Sequence, residues 1–188
     1  MDITLVAAMD QKGLVGRSGS GGIPWHLPVD AAQFRDRCRG KVVVVGRRTY
    51  GEMDGWFRRV SAIPLVFTSG IPEIEVATVR HACQVIDVAQ SLGGPGISEV
   101  IVAGGAQTYA ALLPIATRMV ITEIAAQFEG DLYFPAFKHS AWQVISCRKH
   151  QAVPGDPDRQ HAFSIVERIR QDDAGTNHIP SGRLSSEA

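Results

Sequence analysis

Short runs of β-branched and other apolar residues recur along the chain, and segments of helical character lie between them. Val42-Val43-Val44-Val45 is the clearest run, because four consecutive valines suit a strand that is covered on both faces. The strands predicted in this way are residues 3–9, 41–45, 65–68, 99–103 and 118–125. The helices predicted between them are residues 28–39, 47–53, 85–92 and 105–113. This alternation is typical of an α/β domain with a mostly parallel sheet.

The C-terminal part has a different pattern. Residues 142–150 and 162–170 have strand composition, and Pro154-Gly155-Asp156-Pro157 separates them, which predicts a long antiparallel hairpin. Residues 171–188 are polar and predict a disordered tail. Residues 13–22 hold five glycines and predict a mobile loop rather than an element of secondary structure. We therefore expect one domain over residues 1–170.

Composition excludes several classes of protein. Nineteen basic side chains balance nineteen acidic ones, so no net positive field exists to hold nucleic acid or a membrane surface. No apolar run approaches the about 20 residues that a membrane span needs, and Met1-Asp2-Ile3-Thr4-Leu5 is unlike a signal peptide. The three cysteines and six histidines show no metal-ligand spacing. We expect a cytoplasmic, metal-free, monomeric protein. Its fifteen arginines outnumber its four lysines, and because arginine binds phosphate and carboxylate well, an anionic small molecule is a possible ligand.

In α/β sheets, ligands bind beyond the carboxyl ends of the strands. Two strand-to-helix junctions have suitable chemistry there: Gly46-Arg47-Arg48-Thr49 and Gly104-Gly105-Ala106-Gln107-Thr108. Glycines let the backbone approach a ligand closely, and arginines add positive charge. Each junction suits one phosphate of a dinucleotide. The alternative is that the glycines simply end the strands and the arginines form a solvated face, and the residues alone leave both interpretations open.

Asp30 lies just inside the helix that follows Ile23-Pro24-Trp25-His26-Leu27-Pro28. A carboxyl among these apolar groups should be desolvated, with a raised pKa. It could accept two N–H bonds from the edge of a nitrogen heterocycle. An acid in a first helical turn is also common for another reason, since it favours the helix dipole.

Together, these segments resemble the dihydrofolate reductase family over residues 1–170. The most specific match is the string Pro24-Trp25-His26-Leu27-Pro28-Val29-Asp30 with Phe34. The other matching strings are Val6-Ala7-Ala8, Val15-Gly16, Val45-Gly46-Arg47-Arg48-Thr49-Tyr50, Ala103-Gly104-Gly105-Ala106-Gln107-Thr108-Tyr109, Ile121-Thr122-Glu123, Gly130-Asp131 and Phe134-Pro135. The resemblance implies a mostly parallel central sheet of about eight strands, an antiparallel C-terminal hairpin and about four flanking helices.

The resemblance also implies an activity, the reduction of 7,8-dihydrofolate to tetrahydrofolate by hydride transfer from NADPH to the pterin C=N bond. Asp30 would bind and polarise the pterin, Thr122 would hydrogen-bond to Asp30, and Trp25 would help to hold a nearby water. These three are the expected catalytic residues. The expected substrate-binding residues are Val6, Ala7, Ile23, Asp30, Ala31, Phe34, Arg35, Arg59, Ala103, Tyr109 and Thr122.

The cofactor site implied by the resemblance uses both glycine junctions. Arg47 and Arg48, with Thr68 and Ser69, would bind the 2′-phosphate of NADPH, and residues 16–23 would form a lid. A cis peptide would join Gly104 to Gly105. The expected cofactor-binding residues are Ala8, Val15, Gly16, Ile23, Gly46, Arg47, Arg48, Thr49, Thr68, Ser69, Gly104, Gly105, Ala106, Gln107, Thr108 and Tyr109.

The sequence departs from the family at one informative place. Most members have a Pro-Gly-Arg turn whose arginine binds the glutamyl carboxylate of folate, and here Ala62 takes that position. Arg58, Arg59 or Arg35 could replace it. Two alternatives therefore stay open beside the dihydrofolate reductase: a reductase of a tail-less pterin or another heterocycle, and a non-catalytic pterin-binding protein.

Overall fold

The computed structural model describes residues 1–19, 21–53, 55–70 and 75–171. The predicted tail, apart from Gln171, lies outside these residues. The strands are β1 (Asp2–Met9), β2 (Leu14–Gly16), β3 (Val42–Gly46), β4 (Ile63–Phe67), β5 (Thr78–Val79), β6 (Glu99–Val102), β7 (Arg118–Ile124), β8 (Leu132–Tyr133), β9 (Trp142–His150) and β10 (Phe163–Arg170). The α-helices are α1 (Pro28–Cys38), α2 (Arg47–Glu52), α3 (Trp56–Val60), α4 (Val85–Gly93) and α5 (Ala106–Leu112).

Eight of the strands form one sheet in the order β5-β4-β3-β6-β1-β7-β10-β9. All neighbouring pairs from β5 to β7 are parallel, whereas β10 runs antiparallel to both β7 and β9. The predicted mostly parallel sheet of about eight strands and the C-terminal antiparallel hairpin are confirmed.

Two apolar cores cover the sheet, one on each face. On one face, Ile3, Leu5 and Ala7 of β1 pack with residues of α4 and α5. On the other, Val6 of β1 packs with Leu27, with Cys38 of α1, and with Phe57 and Val60 of α3. Because successive side chains of a strand point to opposite faces, β1 feeds both cores. The valines of β3 divide in the same way and are fully buried, as expected for a strand covered on both faces.

Four short strands or α-helices were not predicted. The glycine-rich segment 13–22 was predicted to be loop throughout, and that is wrong for Leu14–Gly16, which forms β2 and pairs with β8. Local composition cannot show this pairing, since the partner strand lies more than a hundred residues away. The five-residue helix α3 is also unpredicted, and it raises the number of α-helices from about four to five among the described residues. The other two are β5 and β8, strands of two residues each.

Candidate active site

Asp30 and Thr122 meet on the face of the sheet that α1 covers. The Thr122 hydroxyl donates a hydrogen bond of 2.5 Å to Oδ1 of Asp30. Thr122 is buried, and β7 holds it between Ala8 of β1 and Ile165 of β10. Asp30 lies in the first turn of α1, which Pro28 begins. Helix and strand thus bring together two residues that are ninety-two positions apart.

The environment of Asp30 changes its acidity. Burial raises the pKa of this carboxyl above its ordinary value of 3.8, and the hydrogen bond from Thr122 offsets part of that increase. The raised pKa is the direction expected from the apolar residues around it in the sequence. Among the described residues, Thr122 alone gives Asp30 a side-chain hydrogen bond, so the carboxylate keeps acceptor capacity for a ligand.

Apolar and aromatic side chains surround this pair. Ala8, Phe34 and Ala103 pack on the same core as Val6, which lies on the same face of the sheet as Thr122. Phe34 stacks on Trp56 of α3 with ring centroids 5.2 Å apart. These side chains, together with Asp30 and Thr122, are called the slot below. Flat and small apolar groups around one carboxylate are a chemistry that suits a planar nitrogen heterocycle.

The carboxyl ends of β3 and β6 are joined beside this slot. The backbone N–H of Gly46 donates to the carbonyl of Gly104 at 2.7 Å. A Cβ on Gly46 would lie 2.9 Å from Oγ1 of Thr108, and one on Gly105 would lie 3.3 Å from Oγ1 of Thr49. The two predicted glycine junctions thus form a single surface, and the peptide bond between Gly104 and Gly105 is cis.

Four polar residues flank that surface. Arg47 and Arg48 are exposed at the start of α2, directly after Gly46. Thr68 and Ser69 follow β4, whose last residue is the register partner of Gly46. Within the described ranges, neither arginine pairs with a carboxylate at salt-bridge distance. The residues present fit an anionic group at this edge of the sheet.

Tyr109 links the glycine surface to the slot. Its hydroxyl donates to the carbonyl of Val6 at 2.7 Å. A Cβ on Gly104 would lie 3.1 Å from the hydroxyl oxygen of Tyr109. The side chain is 5% exposed, and burial raises its pKa well above the ordinary value. The phenol therefore stays neutral and serves as a hydrogen-bond donor.

The remaining predicted residues lie at varied positions. Ala7 packs into the core on the opposite face, so only its backbone borders the slot, and Val15 packs against that same core. Gly16 and Ala106 are partly or fully buried, and Gln107 is exposed. Ile23 is 62% exposed, as part of the segment that leads to α1. The loop after Gly16 is tethered, since both the N–H and the hydroxyl of Ser18 donate to the Asp131 carboxylate.

Ala62, not an arginine, occupies the position that is expected to bind the substrate tail. Ala62 is buried and lines a pocket of about 280 Å³ together with Tyr50, Phe57 and Arg58. Arg35, Arg58 and Arg59 are exposed, and Ala31 is exposed one turn before Arg35 on α1. These arginines lie on α1 and α3, two helices that pack on the same core as Val6.

Three residues of this region were not singled out as site residues from the sequence. Trp56 stacks on Phe34, and Phe128 packs on Trp25 with ring centroids 5.3 Å apart. Asp10 accepts hydrogen bonds from three backbone N–H groups. Two of these bonds, from Lys12 and Leu14, are local, and the string Asp10-Gln11-Lys12-Gly13 is a signal that could have indicated them, because aspartate accepts from nearby N–H groups in turns. No local signal indicates the aromatic contacts.

In the part of the chain that the structure describes, no three His, Cys, Asp or Glu side chains converge as a metal site. The described helices include none with the length and apolar character required to cross a bilayer.

The fold and the site define an α/β protein with a half-buried carboxylate and a glycine- and arginine-rich pair of strand ends. The sequence model of the family described as dihydrofolate reductase matches residues 2–170. The chain belongs to the dihydrofolate reductase family.

Individual relatives agree with this assignment. The chain is 31% identical to the dihydrofolate reductase of Bacillus subtilis (strain 168), over 92% of this chain and 98% of that protein. It is 34% identical to the dihydrofolate reductase type 3 of Salmonella typhimurium, over 91% and 99% of the two chains. Among solved structures, the Enterococcus faecalis dihydrofolate reductase complexed with NADP(H) and RAB-propyl superposes with a TM-score of 0.77 at 25% identity, covering 91% of this chain and 97% of that one.

Proposed function

We propose that this protein reduces 7,8-dihydrofolate to 5,6,7,8-tetrahydrofolate, with NADPH as the hydride donor. The observation that carries the proposal is the Asp30–Thr122 pair, in which a half-buried carboxylate is oriented by a hydroxyl beside the joined ends of β3 and β6. Membership of the dihydrofolate reductase family over nearly the whole chain supports the same activity.

Asp30 binds the pterin in this proposal. Thr122 occupies Oδ1, and the carboxylate accepts hydrogen bonds from the 2-amino group and the adjacent ring nitrogen of the pterin. Val6, Ala31 and Phe34 border the ring, while Ala103 and Tyr109 border its meeting point with the cofactor. The negative charge of Asp30 favours the protonated pterin, which accepts hydride more readily.

NADPH fits the surface formed by the two strand ends. The pyrophosphate is lined by Thr49, Gly104, Gly105, Ala106, Gln107 and Thr108. The 2′-phosphate is bound by Arg47, Arg48, Thr68 and Ser69. When bound, NADPH supplies the hydride that reduces the pterin C=N bond, and the neighbouring nitrogen takes a proton. The nicotinamide is bordered by Ala8, Val15, Gly16, Ile23 and Tyr109. These residues hold the nicotinamide and the pterin in position for hydride transfer and exclude water.

The proton reaches the pterin through water rather than directly from a side chain. Asp30 hydrogen-bonds to the far edge of the ring, so its role at the reacting nitrogen is electrostatic. Trp25, placed next to Phe128 and five residues before Asp30, helps to hold that water. This division of roles explains why one carboxylate is sufficient for the reaction.

A second candidate substrate is a pterin without a glutamyl tail. The observation that favours it is the buried Ala62, which lies where an arginine would bind the tail. Arg58 and Arg59 of α3 and Arg35 of α1 are the cations that we propose in its place. Turnover of dihydrofolate and of dihydropterin under the same conditions separates the two substrates. A lower KM for dihydrofolate that is lost in Arg58→Ala or Arg59→Ala supports tail binding, whereas equal KM values favour the tail-less substrate.

The decisive assay follows the absorbance of NADPH with dihydrofolate as substrate. The proposal expects substrate-dependent NADPH loss, faster than with NADH at equal concentration. A purified protein that binds dihydrofolate but oxidises no NADPH would instead be a non-catalytic pterin-binding protein.

We also propose that residues 1–170 form the whole folded unit, that the protein is a monomer and that it acts in the cytoplasm. The family match ends at Arg170, and the N–H of Gln171 still donates to Ala141. A chain ending at Gln171 should therefore keep the activity and melting temperature of the full chain. Loss of activity in that shorter chain would show that the tail contributes to the fold or to the site.

A further inference from the structure

Asp10 is a buried acid that the proposed chemistry does not use. It follows β1 directly, and it is 3% exposed. Burying a carboxylate is costly unless hydrogen bonds satisfy it. Here Oδ1 accepts from the N–H groups of Lys12 and Leu14 at 2.8 and 2.9 Å, and Oδ2 accepts from the N–H of Phe128 at 3.0 Å.

These bonds tie together two segments that are far apart in sequence. The bonds from Lys12 and Leu14 shape the turn between β1 and β2. The bond from Phe128 fixes the connection between β7 and β8, and the N–H of Gln11 donates to Ala126 of the same connection at 3.1 Å. One carboxylate therefore sets the position of one segment relative to the other.

Both segments lead to the proposed active site. β2 contains Val15 and Gly16, which border the nicotinamide in the proposed complex. Phe128 packs on Trp25 at 5.3 Å and on His161 at 5.2 Å. Trp25 in turn leads into the helix that carries Asp30. Displacement of Phe128 would move the aromatic neighbour of Trp25 without touching substrate or cofactor.

We propose that Asp10 is a positioning residue for the reduction: its carboxylate holds β2 and Phe128 in register, and through Phe128 it holds Trp25 at the pterin site. This inference rests on the proposed function for its effect on catalysis. Its effect on the position of Trp25 is independent of that function.

Three N–H donors require a carboxylate here. Burial by itself raises the pKa of Asp10, but the backbone N–H groups of Phe128, Leu14 and Lys12 outweigh it, so the net pKa lies below the ordinary value and the group is ionised at neutral pH. An asparagine has one acceptor oxygen, and its NH₂ group would face either Phe128 or the turn as donor against donor. Asp10→Asn therefore separates the two segments while it keeps the size of the side chain.

The kinetic test measures hydride transfer in a single turnover, with the nicotinamide isotope effect as a check that this step is observed. We expect Asp10→Asn to slow hydride transfer about 10-fold with a smaller change in the KM for NADPH, since a misplacement of ~1 Å can cost up to ~100-fold in rate. Glu99→Gln is the matched control, because Glu99 is also a charged acceptor in a network, but at the opposite end of the strands. It should lower the melting temperature and leave hydride transfer unchanged.

A second readout does not require activity. Protein labelled with 5-fluorotryptophan gives ¹⁹F signals from Trp25, Trp56 and Trp142, and Trp25→Phe assigns the first. We expect Asp10→Asn to shift or broaden the Trp25 signal and leave Trp142 unchanged, whereas Glu99→Gln should move neither. An unchanged Trp25 signal together with an unchanged hydride-transfer rate would overturn the inference. If the unmodified protein reduces no dihydrofolate, the proposed function fails, and the Trp25 signal still decides whether Asp10 positions this side chain.

Phe128→Leu keeps the test decisive if Asp10→Asn does not fold. This variant retains the backbone N–H that Asp10 accepts and removes the ring that packs on Trp25. We expect the same slowing of hydride transfer and the same change in the Trp25 signal. A rate equal to that of the unmodified protein would show that Asp10 does not act through Phe128.

Discussion

The carboxylate of Asp30 sits among apolar side chains, where an uncharged group of the same shape would be easier to bury. Its pKa is raised because burial penalises the charge, and the hydrogen bond from Thr122 relieves that penalty only in part. Such a residue is retained for what its charge does to a ligand. Activity and stability should therefore respond in opposite directions when this one charge is removed.

Turnover is the first quantity that should change. Asp30→Asn keeps the size of the side chain but cannot accept two N–H bonds from the pterin or stabilise its protonated form. We therefore expect kcat to fall at least about 100-fold, the lower range for a lost electrostatic stabiliser. The NADPH absorbance assay at neutral pH measures it. Asp36→Asn is the control, since Asp36 is an exposed acid on the same helix. A near-normal rate for Asp30→Asn would exclude the proposed role of Asp30.

Stability should change in the opposite direction, and in a way that depends on pH. Because the pKa of Asp30 is raised on folding, the native state binds more protons than the unfolded chain between the ordinary value of 3.8 and the folded pKa. Stability is therefore lost as pH rises through that interval. We expect Asp30→Asn to increase the free energy of unfolding at pH 7, and the gain to shrink as pH falls towards the ordinary value. Denaturant unfolding at several pH values tests this, and a gain that grows on acidification would contradict it.

At the scale of elements, the joined ends of β3 and β6 depend on the absence of a side chain at Gly46. A Cβ there would press on the buried Thr108, so we expect Gly46→Ala to destabilise the fold by about 1–3 kcal/mol, as overpacking commonly does. It should also weaken NADPH binding, because the movement of Thr108 away from the new Cβ would displace residues that line the pyrophosphate. Fluorescence titration with NADPH measures the affinity.

Gly51 provides the matched control for this prediction. It lies in α2, five residues after Gly46, and nothing approaches its Cβ position within 4 Å. Gly51→Ala should keep the NADPH affinity and stabilise the helix by about 0.5–1 kcal/mol, the usual difference between the two residues in a helix. Equal NADPH affinities for the two variants would show that the close approach at Gly46 does not matter for binding.

The elements that could be predicted from sequence are those whose pattern is local. The valines of β3 indicate a strand covered on both faces, and the Pro-Gly-Asp-Pro string between residues 150 and 162 indicates a hairpin. β2 and α3 are too short to show a period, and β2 exists because β8 pairs with it. β2 was therefore missed because its partner is distant in sequence, and α3 was missed because five residues are too few to show a helical period.

The same distinction applies to the site. The chemistry at Asp30 and at the two glycine junctions was visible in the sequence, and the resemblance to a family supplied Thr122 as the partner of Asp30. The stacking of Trp56 on Phe34 and the bond from Phe128 to Asp10 could not be inferred, because each joins segments that only the tertiary fold brings together. The local string of Asp10 suits a turn, and its bond from Phe128 gives it a second role that the string does not show.

At the scale of the whole molecule, the two ends of the sheet have different tasks. The carboxyl ends of the parallel strands hold the site, whereas the amino ends carry a network of charges. Glu99 pairs with Lys41, accepts from Thr4 at 2.5 Å and lies 3.9 Å from Arg37. Arg118 continues the network through Glu167 at 2.7 Å. The charge network around Glu99 thus lies at the opposite end of the strands from Asp30 and Thr122.

This separation predicts a stability effect without a catalytic one. Burial by itself raises the pKa of Glu99, but the hydrogen bonds from Lys41 and Thr4 outweigh it, so the folded pKa lies below the ordinary value of 4.5. The stabilisation is therefore present above the ordinary value and is lost as pH falls through the folded pKa. We expect Glu99→Gln to lower the free energy of unfolding by about 1–3 kcal/mol at pH 7, since it leaves charged partners without their acceptor. Turnover should be unchanged. The cost should shrink at acidic pH, and a cost independent of pH would refute the assignment.

The position of β10 has a consequence for how the protein is made. β7 carries Thr122, and β10, which covers one of its edges, is the last strand in the described chain. A nascent chain on the ribosome therefore exposes the hydrogen-bonding edge of β7 until residues 163–170 have emerged. Unpaired strand edges of this kind are templates for aggregation. Translation that pauses before residue 163 would leave the edge of β7 open to pairing with other chains. The pairing of β10 with β7 therefore completes this part of the sheet and also protects the edge from aggregation.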